Sequence, residues 1–230
     1  MRRGSGSSRL VRIALSLLGA LVVLLGLAQL LLPKLAASRI SSRVGRYGKV
    51  TSVHVSAWPA VKLLWSEADS VSVRATRLSV SPSQTGELLR EARGVHDLDV
   101  VADEAHEGPL PVSDVRLRKR GDALHASAFA SSADVQAALP PGFGVQLLGS
   151  SEGKVEVRAS GGLFGLGASV DAVAEAHEGK LVVRPRGLLE SLKLTLFSQP
   201  HVALQSIGAR EASGAGGASG YELEASATLR

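Results

Sequence analysis

The sequence has no cysteine among its 230 residues. That excludes disulfides, thiol catalysis and Cys-ligated zinc or iron–sulfur centres, and it leaves burial alone to hold a folded domain. Aromatic residues make up only 3%, so nucleic-acid bases and sugar rings find few stacking platforms. Acids are missing from the first fifty residues, which hold nine of the 26 basic ones: Arg2, Arg3, Arg9, Arg12, Lys34, Arg39, Arg43, Arg46 and Lys49. The rest of the chain then carries 17 basic against 21 acidic side chains, a balance of −4. The net +5 belongs to the N-terminal stretch, so no basic nucleic-acid surface is expected beyond it.

What is present begins at that stretch. Ile13 to Leu32 reads IALSLLGALVVLLGLAQLLL, uncharged, with only Ser16 and Gln29 polar. A helix of about 20 such residues crosses the hydrocarbon core, and the arginines in front keep that end in the cytoplasm. A soluble helix of this length would show a polar face. Two readings stand: a retained signal-anchor, or a signal peptide cut after Gly26-Leu27-Ala28, which fits the small-x-small pattern. Leu30, Leu31 and Leu32 continue the run past that cut and favour the anchor. Residues 1–34 are thus expected as a transmembrane or signal segment and residues 35–230 as a single extracytoplasmic domain. That domain is either tethered to the cell membrane by one pass or secreted after cleavage.

Lys34 to Tyr47 predicts a short helix, with Ala36 or Ala37, Ile40, Val44 and Tyr47 on one face and Lys34, Arg39, Arg43 and Arg46 on the other. Such a helix either lies against anionic headgroups or packs on the domain with a solvated basic face. From Thr51 the period changes to two. Val53, Val55 and Ala57, then Val71, Val73, Ala75, Leu78 and Val80, mark half-buried strands. Helices are predicted at Ser83–Arg93, closed by Gly94, and at Ala133–Leu139, stopped by Pro140-Pro141-Gly142. Further strands are predicted at His96–Ala102, Val112–Arg118, Ala123–Phe129, Val145–Leu148, Lys154–Ala159, Ala168–Ala174, Leu181–Arg184, Lys193–Phe197 and Tyr221–Leu229. The glycines at 161, 162, 165 and 167 read as a bend or bulge within a sheet. Glu104–Gly108 recurs as Glu175–Gly179, EAHEG, which reads as repeated hairpin chemistry rather than a duplicated half-domain.

Catalytic patterns are thin. Gly149-Ser150-Ser151-Glu152-Gly153 fits G-x-S-x-G, but a serine elbow needs a helix behind it, and here the strand-like KVEVRAS follows. The six histidines are scattered singly and no H-E-x-x-H occurs, so no metal site is expected. His96, Asp97 and Asp99 read as solvated strand residues, His96 and Asp97 pointing to opposite sides. Arg116–Arg120 (RLRKR) reads as a solvated strand end, or else as a headgroup contact. No catalytic residue and no cofactor is expected. More distinctive is Ala57–Trp65 (AWPAVKLLW), which holds both tryptophans of the chain. Tryptophan suits a membrane interface; a core corner shaped by Pro59 is the alternative.

The run Val53-x-Val55-x-x-Trp58-Pro59-x-x-x-Leu63-Leu64-x-x-x-x-Asp69-x-Val71-x-Val73 resembles the signature region of the LmeA-type phospholipid-binding proteins of the actinobacterial envelope. The likeness in layout extends from Leu35 to Leu229 and includes the Leu139-Pro140 stop; the family often has Gly where this chain has Ser66. The resemblance implies an exported phospholipid binder without a known catalytic set; the best-studied type of the family is linked to the maturation of mannan-bearing lipoglycans, a role that layout alone does not carry over. It also implies an α+β fold: a curled antiparallel sheet packed on one or two helices, like one half of the tubular lipid-binding proteins. An aliphatic inner face of such a sheet binds acyl chains through apolar area alone. The expected groove lining is Trp58, Leu63, Leu64, Trp65, Val71, Val73 and Leu78. The competing expectation is a scaffolding module of the envelope that binds a protein through its sheet edges or the Trp58–Trp65 loop.

Overall fold

The computed structural model describes residues 29, 31–42, 48–65, 67–79, 82–107, 110–163, 166–187 and 193–230. Most of the arginine-flanked apolar run, the proposed cleavage point, Val44, Tyr47, Ser66 and Val80 lie outside the described residues. No described helix is long and apolar enough to cross a membrane.

The first sheet has seven strands. They are β1 (Gly48–Ser56), β2 (Ala68–Ser79), β3 (Val95–Glu107), β4 (Leu110–Arg120), β5 (Ala123–Ser131), β11 (Val202–Ser213) and β12 (Ser219–Leu229), in spatial order β1-β2-β3-β4-β5-β12-β11. Period-two alternation builds it: Val53 stands opposite Val73 and Val55 opposite Val71, so the apolar residues of β1 and β2 share one face. Helix α1 (residues 31–42) covers this end. Its Ala36, Ala37 and Ile40 pack against Val55, Ala68, Val71 and Val73. The amphipathic stretch thus lays its apolar stripe on the sheet, as one of its two readings required, and α1 runs across the 34/35 position. Helix α2 (Pro82–Glu91) starts on a proline, whose missing N–H is no loss in a first turn. Its Leu89 packs on the other end of the sheet, against Leu124, Val202, Ala227 and Leu229. Helix α3 (Ser132–Ala138) is capped by Ser131, whose hydroxyl accepts from Asp134 N–H at 3.0 Å.

The second sheet has five strands in spatial order β10-β9-β8-β7-β6: β6 (Phe143–Ser151), β7 (Lys154–Leu163), β8 (Leu166–His177), β9 (Lys180–Pro185) and β10 (Leu194–Phe197). Two of its hairpins turn through Glu152-Gly153 and Glu178-Gly179, every one of these residues at positive φ, as a two-residue turn matched to strand twist requires. These turns abut the outer edge of β11. Gly179 O accepts from Leu204 N–H at 3.0 Å, and Gly153 O from Ile207 N–H at 3.2 Å. An edge strand that would otherwise offer free N–H groups is capped by hairpin tips.

Three expectations change. The single curled antiparallel sheet of an α+β fold is instead two sheets, neither closed nor strongly curled, with a few short helices in a mostly-β chain. Nor is it wholly antiparallel, because β2 and β3 pair in parallel; α2 supplies the crossover that a parallel pair needs. Gly161, Gly162 and Gly167 lie at the end of the β7–β8 hairpin, with Gly161 opposite Ala168 and Gly162 opposite Gly167, rather than at a bend inside a strand, and Gly165 lies outside the described residues. The two EAHEG segments sit one residue out of step. His177 pairs with Lys180 across Glu178-Gly179, whereas Glu107 is still a β3 residue paired with Leu110, so the expected Glu-Gly turn holds for the second copy and not for the first. Ser151 ends β6 and faces Lys154 of β7, a hairpin and no elbow.

Candidate functional site

The Val53–Val73 signature folds into one corner. β1 ends at Ser56, the chain turns through Trp58-Pro59, a 3-10 turn spans Ala60–Trp65, and β2 returns from Ala68. The corner is inside out. Ala57 and Ala60 are 3% and 1% exposed, while Trp58, Leu64 and Trp65 are 72%, 66% and 68% exposed. Small side chains fill the bend and the large apolar ones face outward, so the core-corner alternative fits the alanines and not the tryptophans.

Hydrogen bonds hold this shape. Asp69 takes two partners from the loop: one carboxylate oxygen accepts from Trp58 N–H at 2.5 Å and the other from Lys62 Nζ at 3.2 Å. These bonds hold the Asp69 carboxyl below its ordinary range, the Trp58 bond contributing most and the Lys62 bond next. Gln29 grips the same loop from the other side. Its amide N–H donates to Ala57 O at 3.1 Å, and its side-chain oxygen accepts from Ala60 N–H at 2.8 Å. Within the turn, Lys62 N–H donates to Pro59 O at 3.1 Å and Glu67 N–H to Lys62 O at 3.2 Å. Asp69, the one acid among the residues the signature specifies, thus fixes the loop at Trp58 and Lys62.

The seven expected lining residues divide into three places. Trp58, Leu64 and Trp65 share the exposed loop. Val71 and Val73 are buried in the cluster beneath α1, with Leu63 packed against it. Leu78 is half-buried and pairs with Gly48 at the far end of β2, about 30 Å along the strand from Ala68.

A polar concavity of about 380 Å³ adjoins the loop, lined by Lys62, Glu67, Asp69, Arg93, His96 and Lys119 among others. Lys119 is 2% exposed and donates to the Val95 carbonyl. Burial pushes its pKa below the usual lysine range, opposed by the nearby Asp122 and Asp97. The reading of Arg116–Arg120 as a solvated strand end fails at this residue, because alternation places it on the same strand face as Leu117. Its neighbours Arg118 and Arg120 do face outward and pair with Asp99 and Asp97, each at 3.5 Å. A second concavity, of about 630 Å³, is lined by Arg116, Arg118, His125, Ser150, Glu152 and Ser206 among others. Neither is an aliphatic pocket. Among the described residues no three His, Asp or Glu side chains converge as metal ligands.

Nothing among the curated proteins or the solved structures matches this chain. The match that exists is at the level of a family, and it spans both sheets and reaches into β11: over residues 23–208 the chain belongs to the LmeA-like phospholipid-binding family.

Proposed function

We infer that this is a non-catalytic phospholipid-binding protein of the cell envelope, with residues 35–230 on the extracytoplasmic side and acyl chains held against aliphatic surface at the Trp58–Val73 corner. The family match carries the reading. Physical support comes from the corner itself, where exposed apolar side chains continue into a buried aliphatic cluster and apolar area is all that acyl chains require. Trp58, Leu64 and Trp65 make the first contact. Leu63, Val71 and Val73 are reached when α1 lifts, and two alanines and one isoleucine hold that helix to the sheet. Leu78, at the far end of β2 and out of phase with Val71 and Val73, lies outside this corner. In this role the protein supports lipid or lipoglycan biogenesis as a tethered or free carrier.

The test is transfer of a fluorescent phospholipid from liposomes to the purified protein. Saturable uptake that falls in Trp58→Ala supports the reading; absence of uptake from any phospholipid composition sinks it. A scaffolding role has one observation in its favour. β10 is an edge strand whose Leu194 and Leu196 are both exposed, and such edges invite pairing with another chain. A crosslinked protein partner that survives both Trp58→Ala and lipid depletion would favour that role.

A further inference from the structure

We propose that the Trp58–Trp65 loop is a docking tip that inserts into the bilayer surface, set by Gln29 at the point where the N-terminal apolar run leaves the membrane. The proposal rests on the envelope reading above, and it adds a surface, an occupant and a geometry. Three observations carry it.

First, the loop is pinned outward and not merely loose. Four hydrogen bonds from two side chains, Gln29 and Asp69, fix Ala57, Trp58, Ala60 and Lys62. That arrangement holds Trp58, Leu64 and Trp65 in water. An apolar cluster held there without a partner is unfavourable, and two indoles beside polar backbone match the layer where hydrocarbon meets headgroups.

Second, the loop is tied to a residue of the run. Gln29 is the last polar residue of the Ile13–Leu32 stretch. Its amide, otherwise unwelcome near hydrocarbon, is bonded to Ala57 and Ala60. Gln29, near the end of a membrane-length apolar segment, is therefore hydrogen-bonded to the loop that carries the exposed tryptophans. Third, Leu31 and Leu35, which follow Gln29 in the chain, are themselves exposed one turn apart along α1, with exposed Lys34 between them in sequence, a pairing suited to anionic phosphate. A bilayer fits all three features. A protein partner accounts for the exposed side chains but not for the link to the run.

The chain itself carries the probe, because Trp58 and Trp65 are its only tryptophans. The full chain is reconstituted into phosphatidylethanolamine–phosphatidylglycerol vesicles carrying a doxyl quencher at a shallow or a deep acyl position. The expected result is stronger quenching by the shallow label than by the deep one, with both indoles shielded from aqueous iodide. Free access of iodide with no lipid quenching would overturn the proposal. Leu64→Ser, at an exposed position that leaves the tryptophans in place, should raise the shallow-to-deep quenching ratio and admit iodide; an unchanged ratio would count against insertion. Phospholipid uptake is scored separately on the same samples. Uptake with water-exposed tryptophans overturns the docking tip and spares phospholipid binding, while inserted tryptophans without uptake do the reverse.

Discussion

Asp69 and Lys119 show how single residues set the corner. Asp69 is ionised and doubly bonded in the fold, so its pKa is depressed. Its stabilising effect is present above the ordinary aspartate value of 3.8 and is lost as pH falls through the lower folded value. Acidification through that window should free the loop and increase collisional quenching of the tryptophans by acrylamide, whereas Asp69→Ala should show the higher quenching already at neutral pH. Lys119 has the opposite chemistry with a related sign. Its folded pKa is lowered by burial, so between that value and the ordinary 10.5 the unfolded chain binds more protons and stability rises with pH. Lys119→Met keeps the apolar stem and removes the buried charge, but it orphans the Val95 carbonyl. Urea unfolding should place it within about 1 kcal/mol of the parent, without the alkaline slope, and should show a loss of about 2–3 kcal/mol for Lys119→Ala, which also removes the stem. A Lys119→Ala as stable as the parent would mean that the side chain is not packed as described.

At the scale of elements, the edge strand β11 depends on two glycines in neighbouring turns. A Cβ on Gly153 would stand 2.9 Å from Ser206 Cβ, and one on Gly179 would stand 3.1 Å from Ala203 Cα, with φ of +75° and +78°. Either Gly→Ala change should cost about 1–3 kcal/mol in thermal or urea unfolding. Gly121→Ala, at φ +55° with open space around it, should cost only the strain of about 1 kcal/mol. Equal effects at all three would refute the capping of β11. This strand was also the least legible in the sequence. A bulge between Leu204 and Ser206 interrupts its alternation, so Val202 and Leu204 fall out of phase with Ile207 and Ala209. β12 has no such break, and Tyr221, Leu223, Ala225, Ala227 and Leu229 read as one strand face directly. The stops at Gly94 and at Pro140 were legible for the same reason: backbone chemistry acts locally. Partition into two sheets was not legible, because strand periodicity does not record which strands share hydrogen bonds. The site was half legible. The signature located the corner, and hydrophobicity alone put the tryptophans and Val71 in one lining, whereas the bend admits only the alanines inward and leaves the valines under α1.

For the molecule as a whole, the first sheet carries an aliphatic cluster at each end, one under α1 and one under α2. The α1 end is the one joined to the tryptophan loop, through Leu63 and Gln29. Lipid binding there should be linked to the docking of α1. Ile40→Ala should lower stability by about 1–2 kcal/mol and speed uptake of labelled phospholipid, while Leu89→Ala at the other end should lower stability without changing uptake. The central claim, that the chain binds phospholipid as its family does, is tested most directly by native mass spectrometry of the purified full chain after detergent is stripped in the gas phase. The account predicts a discrete mass increment of one or a few phospholipids, identifiable by fragmentation and reduced in Trp58→Ala. A bare protein mass under conditions that preserve the fold, with no increment after incubation with phospholipid vesicles, would contradict it.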